Sequence, residues 1–116
     1  MIIGVQGSRD FDDYNIFLRA MGTALSTIKE ADNEVIIYSA GPSKINAMSM
    51  EFSNIVERSM KARGFKIKMF KAPLKWMKAN IDNIDYFVYL SKPKENLSEL
   101  ATLADKKGIE LGVYRY

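Results

Sequence analysis

Neither cysteine nor histidine occurs among the 116 residues. Without cysteine there are no disulfides and no thiolate metal sites, which suits a reducing compartment and points to the cytoplasm. Without histidine the chain lacks the usual general base, the usual zinc ligand and every Ser-His or Cys-His catalytic pair. Chemistry would have to come from carboxylates, Lys, Tyr, Ser or a bound ligand, and neither a metal nor a cofactor is expected. Long apolar runs are also missing. Nothing approaches the roughly 20 residues of a membrane span, and the opening residues lack the basic-then-apolar layout of a secretory signal, so no membrane partner is expected. Charge is modest: 17 basic against 14 acidic side chains, a net +3. That balance is compatible with a small anionic ligand and too weak to make nucleic acid the expected partner.

What is present is an ordinary globular composition, 47% apolar, in a length that suits one compact domain over residues 1–116. Ile2–Gln6 reads as a buried strand. Tyr14–Ala31 places Ile16, Phe17, Ala20, Met21, Ala24, Leu25 and Ile28 at three- and four-residue spacing, which predicts an amphipathic helix. Asp32-Asn33 is a turn, and Glu34–Ala40 is a short strand of β-branched character. Ser43–Arg63 is helical, with Ile45, Met48, Met50, Phe52, Ile55, Val56 and Met60 assigned to its buried side and Gly64 as its stop. Phe65–Phe70 alternates by two, the pattern of a strand with one wet side near a sheet edge. Asp85–Ser91 is apolar enough for the sheet interior. Glu95–Lys107 is a helix stopped by Gly108, and Ile109–Tyr116 is a closing strand. Lys71–Asn83 fits least well, too polar for core and too short for a firm helix.

Strands alternating with helices imply right-handed βαβ units, hence an α/β three-layer sandwich with helices on both faces of a five-stranded parallel sheet in the order 3-2-1-4-5. Ligands of such sheets bind beyond the carboxyl ends of the strands. The loops there are Gly7–Asp10, Ala40–Lys44, Lys71–Lys75 and Ser91–Glu95. In the first, Gly7 permits a sharp turn and close approach, the next helix offers free N–H groups, and Arg9 adds a clamp for an anion. Ser8, Asp10, Asp12 and Asp13 equally suit helix capping and first-turn roles that need no ligand. No GxGxxG dinucleotide fingerprint is present.

The string "GSRDFDDY" after a first strand resembles the SLOG superfamily, a Rossmann-like group that includes DprA/Smf and the cytokinin-activating LOG enzymes. The resemblance is to its YspA-like branch, which opens with a strand, Gly-(Ser/Gly)-Arg-Asp-Phe and a helix. That branch ends its second strand in Ser-Gly-Gly-Ala-Arg-Gly-Ala-Asp, where this chain reads "SAGPSKIN", Ser39 to Asn46. Ser39 and Gly41 match. The arginine is replaced by Ser43, with Lys44 one residue on, and the acid by Asn46. Of the Trp-then-Arg-Asn segment before the fourth strand, Trp76 remains with Lys75 and Lys78 nearby. The Gly-Thr pair after the fourth strand gives way to "SKPKENLSE", and the phosphoribohydrolase motif of LOG enzymes has no counterpart. The tail "LADKKGIELGVY" is similar to the family's last helix and strand. The resemblance implies a pocket for a nucleotide-derived or phosphosugar ligand, seated by Gly7, Ser8, Arg9 and Asp10 with Ser39, Gly41, Ser43, Lys44, Asn46, Trp76 and Ser91. It also implies altered recognition, no turnover, and a homodimer.

Two rival functions follow from other residues. Glu99 lies where the related deoxyribosyltransferase-like enzymes keep a nucleophile, so Glu99 or Asp10 would serve an N-glycosidic hydrolase or transferase. A capping box, Asn96-Leu97-Ser98-Glu99, explains Glu99 without chemistry. The other rival is a protein-interaction factor of phage or mobile-element origin with a vestigial pocket. In "FKIKMFKAPLKWMK" (Phe65–Lys78) lysines mix with aromatics as in single-stranded nucleic-acid binders. Lys66, Lys68 and Lys71 are read instead as the solvent side of an edge strand that repels pairing, while Lys75, Trp76 and Lys78 are left in a loop at the ligand end. The methionines are read as core filler.

Overall fold

The computed structural model describes residues 1–29 and 32–115. Its elements are β1 (Ile2–Gly7), α1 (Tyr14–Leu25), β2 (Glu34–Ser39), α2 (Ser43–Ala62), β3 (Lys66–Lys71), α3 (Leu74–Ala79), a 3-10 turn (Ile81–Asn83), β4 (Tyr86–Ser91), α4 (Glu99–Lys106) and β5 (Glu110–Arg115). All four strand pairings are parallel, in the order β3-β2-β1-β4-β5. The predicted order and the interior place of the first and fourth strands are both observed. No described helix is long and apolar enough to cross a membrane.

Strand alternation divides the core between two layers. Ile3, Val5, Val35, Ile37, Val88 and Leu90 meet Phe17, Met21, Ile45 and Phe52 on the α1/α2 face. Phe87 and Tyr89 meet Met77, Ile81, Leu100 and Ala104 on the α3/α4 face. Every residue of β4 is buried, as a strand covered on both faces requires. At the β3 edge Lys66 and Lys68 are exposed while Ile67 is buried. These lysines guard the sheet edge, as expected from the alternation.

Four expectations change. The segment Lys71–Asn83, too polar and short for a firm helix by sequence, is regular: Lys71 ends β3, and α3, which takes in Lys75, Trp76 and Lys78, and the 3-10 turn follow, because Met77, Ile81 and Ile84 supply a narrow apolar stripe that packs under β1 and β4. α1 ends at Leu25, where the Ser26 and Thr27 hydroxyls bond to the carbonyls of Thr23 and Ala24 and compete with further helix; residues 30 and 31, assigned to this helix, lie outside the described residues, as does residue 116 of the closing strand. Met50 and Ile55 are exposed, 45% and 60%, since the stripe through Ile45, Met48, Phe52 and Met60 passes them by and Ser49 and Ser53 occupy its remaining positions. α4 begins at Glu99, not Glu95, because the Ser98 hydroxyl accepts the Ala101 N–H and is the N-cap. The Gly64 stop holds, with φ +86° directly after α2.

Candidate functional site

Because all strands run one way, their carboxyl ends form a single rim. The rim has two unlike halves. Over β1, β4 and β5 it is closed. The Ser8 N–H donates to the Leu90 carbonyl at 2.7 Å, and the Ser8 hydroxyl donates to Glu95 Oε1 at 2.8 Å. The Tyr89 hydroxyl donates to the same Oε1 at 2.9 Å. Burial, then the bond to Glu95, pushes the Tyr89 phenol up to about 12. The Ser98 hydroxyl donates to Gln6 Oε1 at 2.6 Å. The Arg115 guanidinium donates to Ser91 Oγ at 2.8 Å, to the Lys92 carbonyl at 3.0 Å and to the Glu95 carbonyl. Together these bonds hold the loop 92–98 down across the ends of β1 and β4.

The opening loop takes part in that closure. Asp10 pairs with Lys92 at 2.6 Å and Asp12 with Lys44 at 3.7 Å. Asp13 caps α1 through the Ile16 N–H, and Phe11 is fully buried. Asp10 and Asp12 are therefore partners of loop and helix lysines rather than of the α1 dipole. The absent side chain of Gly7 has a packing cause: a Cβ there would stand 2.7 Å from Ile45 Cδ1. The space above Gly7 is occupied by α2. Arg9 is exposed and makes no hydrogen bond or ion pair with a described residue.

Over β2 and β3 the rim is open. Ser39, 1% exposed, donates from Oγ to Asn46 Oδ1 at 2.5 Å. Gly41 has φ +92°, a conformation that favours glycine, and a Cβ on it would meet nothing within 4 Å. Its carbonyl accepts the Gly7 N–H at 3.2 Å, which brings the first two loops together. α2 then starts behind a cis Gly41-Pro42 peptide with no side-chain cap. Ser43, Asn46, Ala47, Met50 and Lys71 line a hollow of about 320 Å³. Tyr38, Phe70, Lys71, Ala72, Pro73 and Trp76 line another of about 290 Å³. A larger hollow of about 530 Å³, lined by residues such as Lys61, Phe65 and Lys66, lies at the amino end of β3, away from the rim.

The rim thus gathers Gly7, Ser8, Ser39, Gly41, Ser43, Lys44, Asn46 and Ser91, with Ser91 fully buried beneath Arg115. Trp76 joins from α3. Glu99 stands apart: exposed, it pairs with Lys78 at 2.8 Å, and the Asn96 capping box does not form. Lys71 also departs from the edge pattern, lining both rim hollows rather than following Lys66 and Lys68. Gln6, Tyr89, Glu95, Ser98 and Arg115 were not singled out by sequence. Choosing Ser98 rather than Asn96 as the cap would have left 92–98 as a loop at the strand ends, with Glu95 in it.

No family model, no curated protein and no solved structure matches the chain.

Proposed function

We propose that the chain is a small SLOG-like, Rossmann-like binding protein that holds a nucleotide-derived or phosphosugar ligand over the carboxyl end of β2, on the open half of the rim, without turnover. The observation that carries this is the β2–α2 corner. There a glycine with open space above it, a buried serine bonded to a half-buried asparagine, and the uncapped start of a helix converge at the open rim. The anionic part of the ligand rests on Gly41 to Lys44, with Arg9 added from the adjoining first loop. Ser39 and Asn46 fix the geometry beneath it. Turnover is left out because Asp10 and Glu99 are ion-paired with Lys92 and Lys78. A cytoplasmic location and a homodimer belong to the same proposal.

The experiment is a thermal-shift screen of nucleotides, nucleotide sugars, cyclic nucleotides and sugar phosphates, with native mass spectrometry reporting subunit count and any retained molecule. A saturable rise in Tm with one of these classes is expected; a flat response to all of them rejects the proposal.

A second reading, N-glycosidic hydrolysis or transfer, is favoured by one observation only. A carboxylate does stand at the rim, held by Tyr89 and Ser8, and it is Glu95. Release of free base from nucleosides by the wild type, absent in Glu95→Gln, would select that reading instead.

A further inference from the structure

The α3 side of the edge strand carries an aromatic cluster at the margin of the core: Tyr38 and Trp76 are half-buried against the α3/α4 layer, and Phe70 stands exposed beside them. Tyr38 and Trp76 approach with ring centroids 4.4 Å apart, and Tyr38 stacks on Phe70 at 5.8 Å. Phe70 is nevertheless 46% exposed, and Leu74 beside Pro73 is equally so. A buried cluster would be core filler. This one borders a hollow of about 290 Å³ instead, near the small end of ligand clefts and of a size for one flat ring system.

Charge decides the occupant. Among the described residues no acidic side chain lines this hollow or its 320 Å³ neighbour, and Lys71 lines both. Lys71 and Lys75 form no ion pair with a described residue, whereas Lys68 and Lys78 are neutralised by Glu34 and Glu99. A second copy of the chain paired along β3 would set Lys66, Lys68 and Lys71 against their own counterparts, which disfavours it. An aromatic floor with an unpaired ammonium at its rim selects a flat ring that carries a negative group.

We infer that the Tyr38–Phe70–Trp76 hollow is a stacking site for a nucleobase whose phosphate is held by Lys71 at the junction with the Ser43–Asn46 hollow. This rests on the nucleotide-derived ligand proposed above and narrows it to the nucleoside phosphates. The base either belongs to a free nucleotide or to a single-stranded nucleic acid crossing the edge; both present the same chemistry to the hollow.

Trp76 is the one tryptophan of the chain, so its emission reports on this hollow directly. The test titrates the wild type with the four nucleoside 5′-monophosphates, ribose 5-phosphate and a ten-residue deoxythymidine oligonucleotide. Trp76 fluorescence and Tm are followed together. Saturable quenching by a monophosphate or the oligonucleotide, and none by ribose 5-phosphate, is the expected result. Phe70→Ala weakens that binding roughly 5- to 100-fold and Lys71→Ala roughly tenfold, with circular dichroism and Tm unchanged because both residues are exposed. Oligonucleotide affinity far above that of the mononucleotide, falling steeply with salt, assigns the base to a strand; equal affinity assigns it to a free nucleotide. A rise in Tm with ribose 5-phosphate and no quenching by any base overturns the stacking site while leaving the anion site at the β2–α2 corner standing. Absence of any shift or quenching overturns both. Quenching that depends on protein concentration alone overturns it in favour of a self-interface, and binding unaffected by Phe70→Ala does so as well.

Discussion

The two halves of the rim are made of similar residue types and use them in opposite ways. Over β1, β4 and β5, Glu95 accepts from Ser8 and Tyr89, Ser98 donates to Gln6, and Arg115 donates to Ser91 and to the Lys92 and Glu95 carbonyls. Over β2 and β3, Gly41 faces open space and Lys71 and Lys75 lack described partners, as does Arg9 of the adjoining first loop. A polar group already bonded inside the protein contributes little to a ligand, since binding would only exchange one partner for another. The closed half is accordingly a structural seam and the open half is the place where recognition chemistry is still available. Substitutions should therefore separate cleanly, lowering stability on one side and affinity on the other.

The largest effect is expected at Phe11. The residue follows the exposed Arg9 and Asp10 yet is itself fully buried, so Phe11→Ala should cost about 3–5 kcal/mol in a denaturant titration. A loss below about 1 kcal/mol would mean that the opening loop is not anchored as described. Next is Glu95→Ala, which leaves the buried Tyr89 and Ser8 hydroxyls without their acceptor. It should lower stability by about 1–3 kcal/mol, and Glu95→Gln, which keeps the acceptor oxygen, by less. If Glu95→Ala raised ligand affinity while leaving stability intact, the two halves would not differ in the way proposed.

The same seam predicts a pH dependence. Burial, then the Glu95 bond, raises Tyr89 from its ordinary value of 10.0 to about 12. The unfolded chain ionises this phenol first, so its contribution is complete below pH 10 and is lost as pH rises toward 12. Tyr86, raised chiefly by burial and then by Tyr114, acts in the same sense. Urea unfolding at stepped pH should show stability falling across that window, and Tyr89→Phe should reduce the slope without abolishing it.

Asp13→Ala, which removes the α1 cap, should cost about 1 kcal/mol and leave affinity alone. The smallest stability effect is expected for Arg9→Ala, within about 0.5 kcal/mol of zero. Its effect on an anionic ligand should be roughly ten- to hundredfold, read by calorimetry on the compound found in the screen.

The layout was legible because period-two and period-3.6 patterns decide most of it. The strand order followed from alternating βα units and from the unbroken apolar stretch of β4. What failed were short or competing local signals. α3 has only six residues and one fully buried side chain, Met77, too little periodicity to register against three lysines and a proline nearby. At α4, Asn96 and Ser98 are both good caps, and only packing chooses between them. The rim was placed by the fold rule, and Gly7, Ser8, Ser39, Gly41 and Asn46 do stand on it. The division into closed and open halves was not legible. It depends on Glu95 and Arg115, which meet Ser8 and Ser91 across 87 and 24 positions of sequence, and no local pattern encodes such pairs.

The most direct test of the central claim is an amide chemical-shift titration of the labelled protein with the compound that raises Tm. The account predicts saturable shifts concentrated on Gly41 to Asn46, Arg9 and Lys71, with the amides of Ser8, Tyr89 and 95–98 little changed. Shifts concentrated on 95–98 and β4 instead, with Gly41 to Asn46 silent, would contradict it.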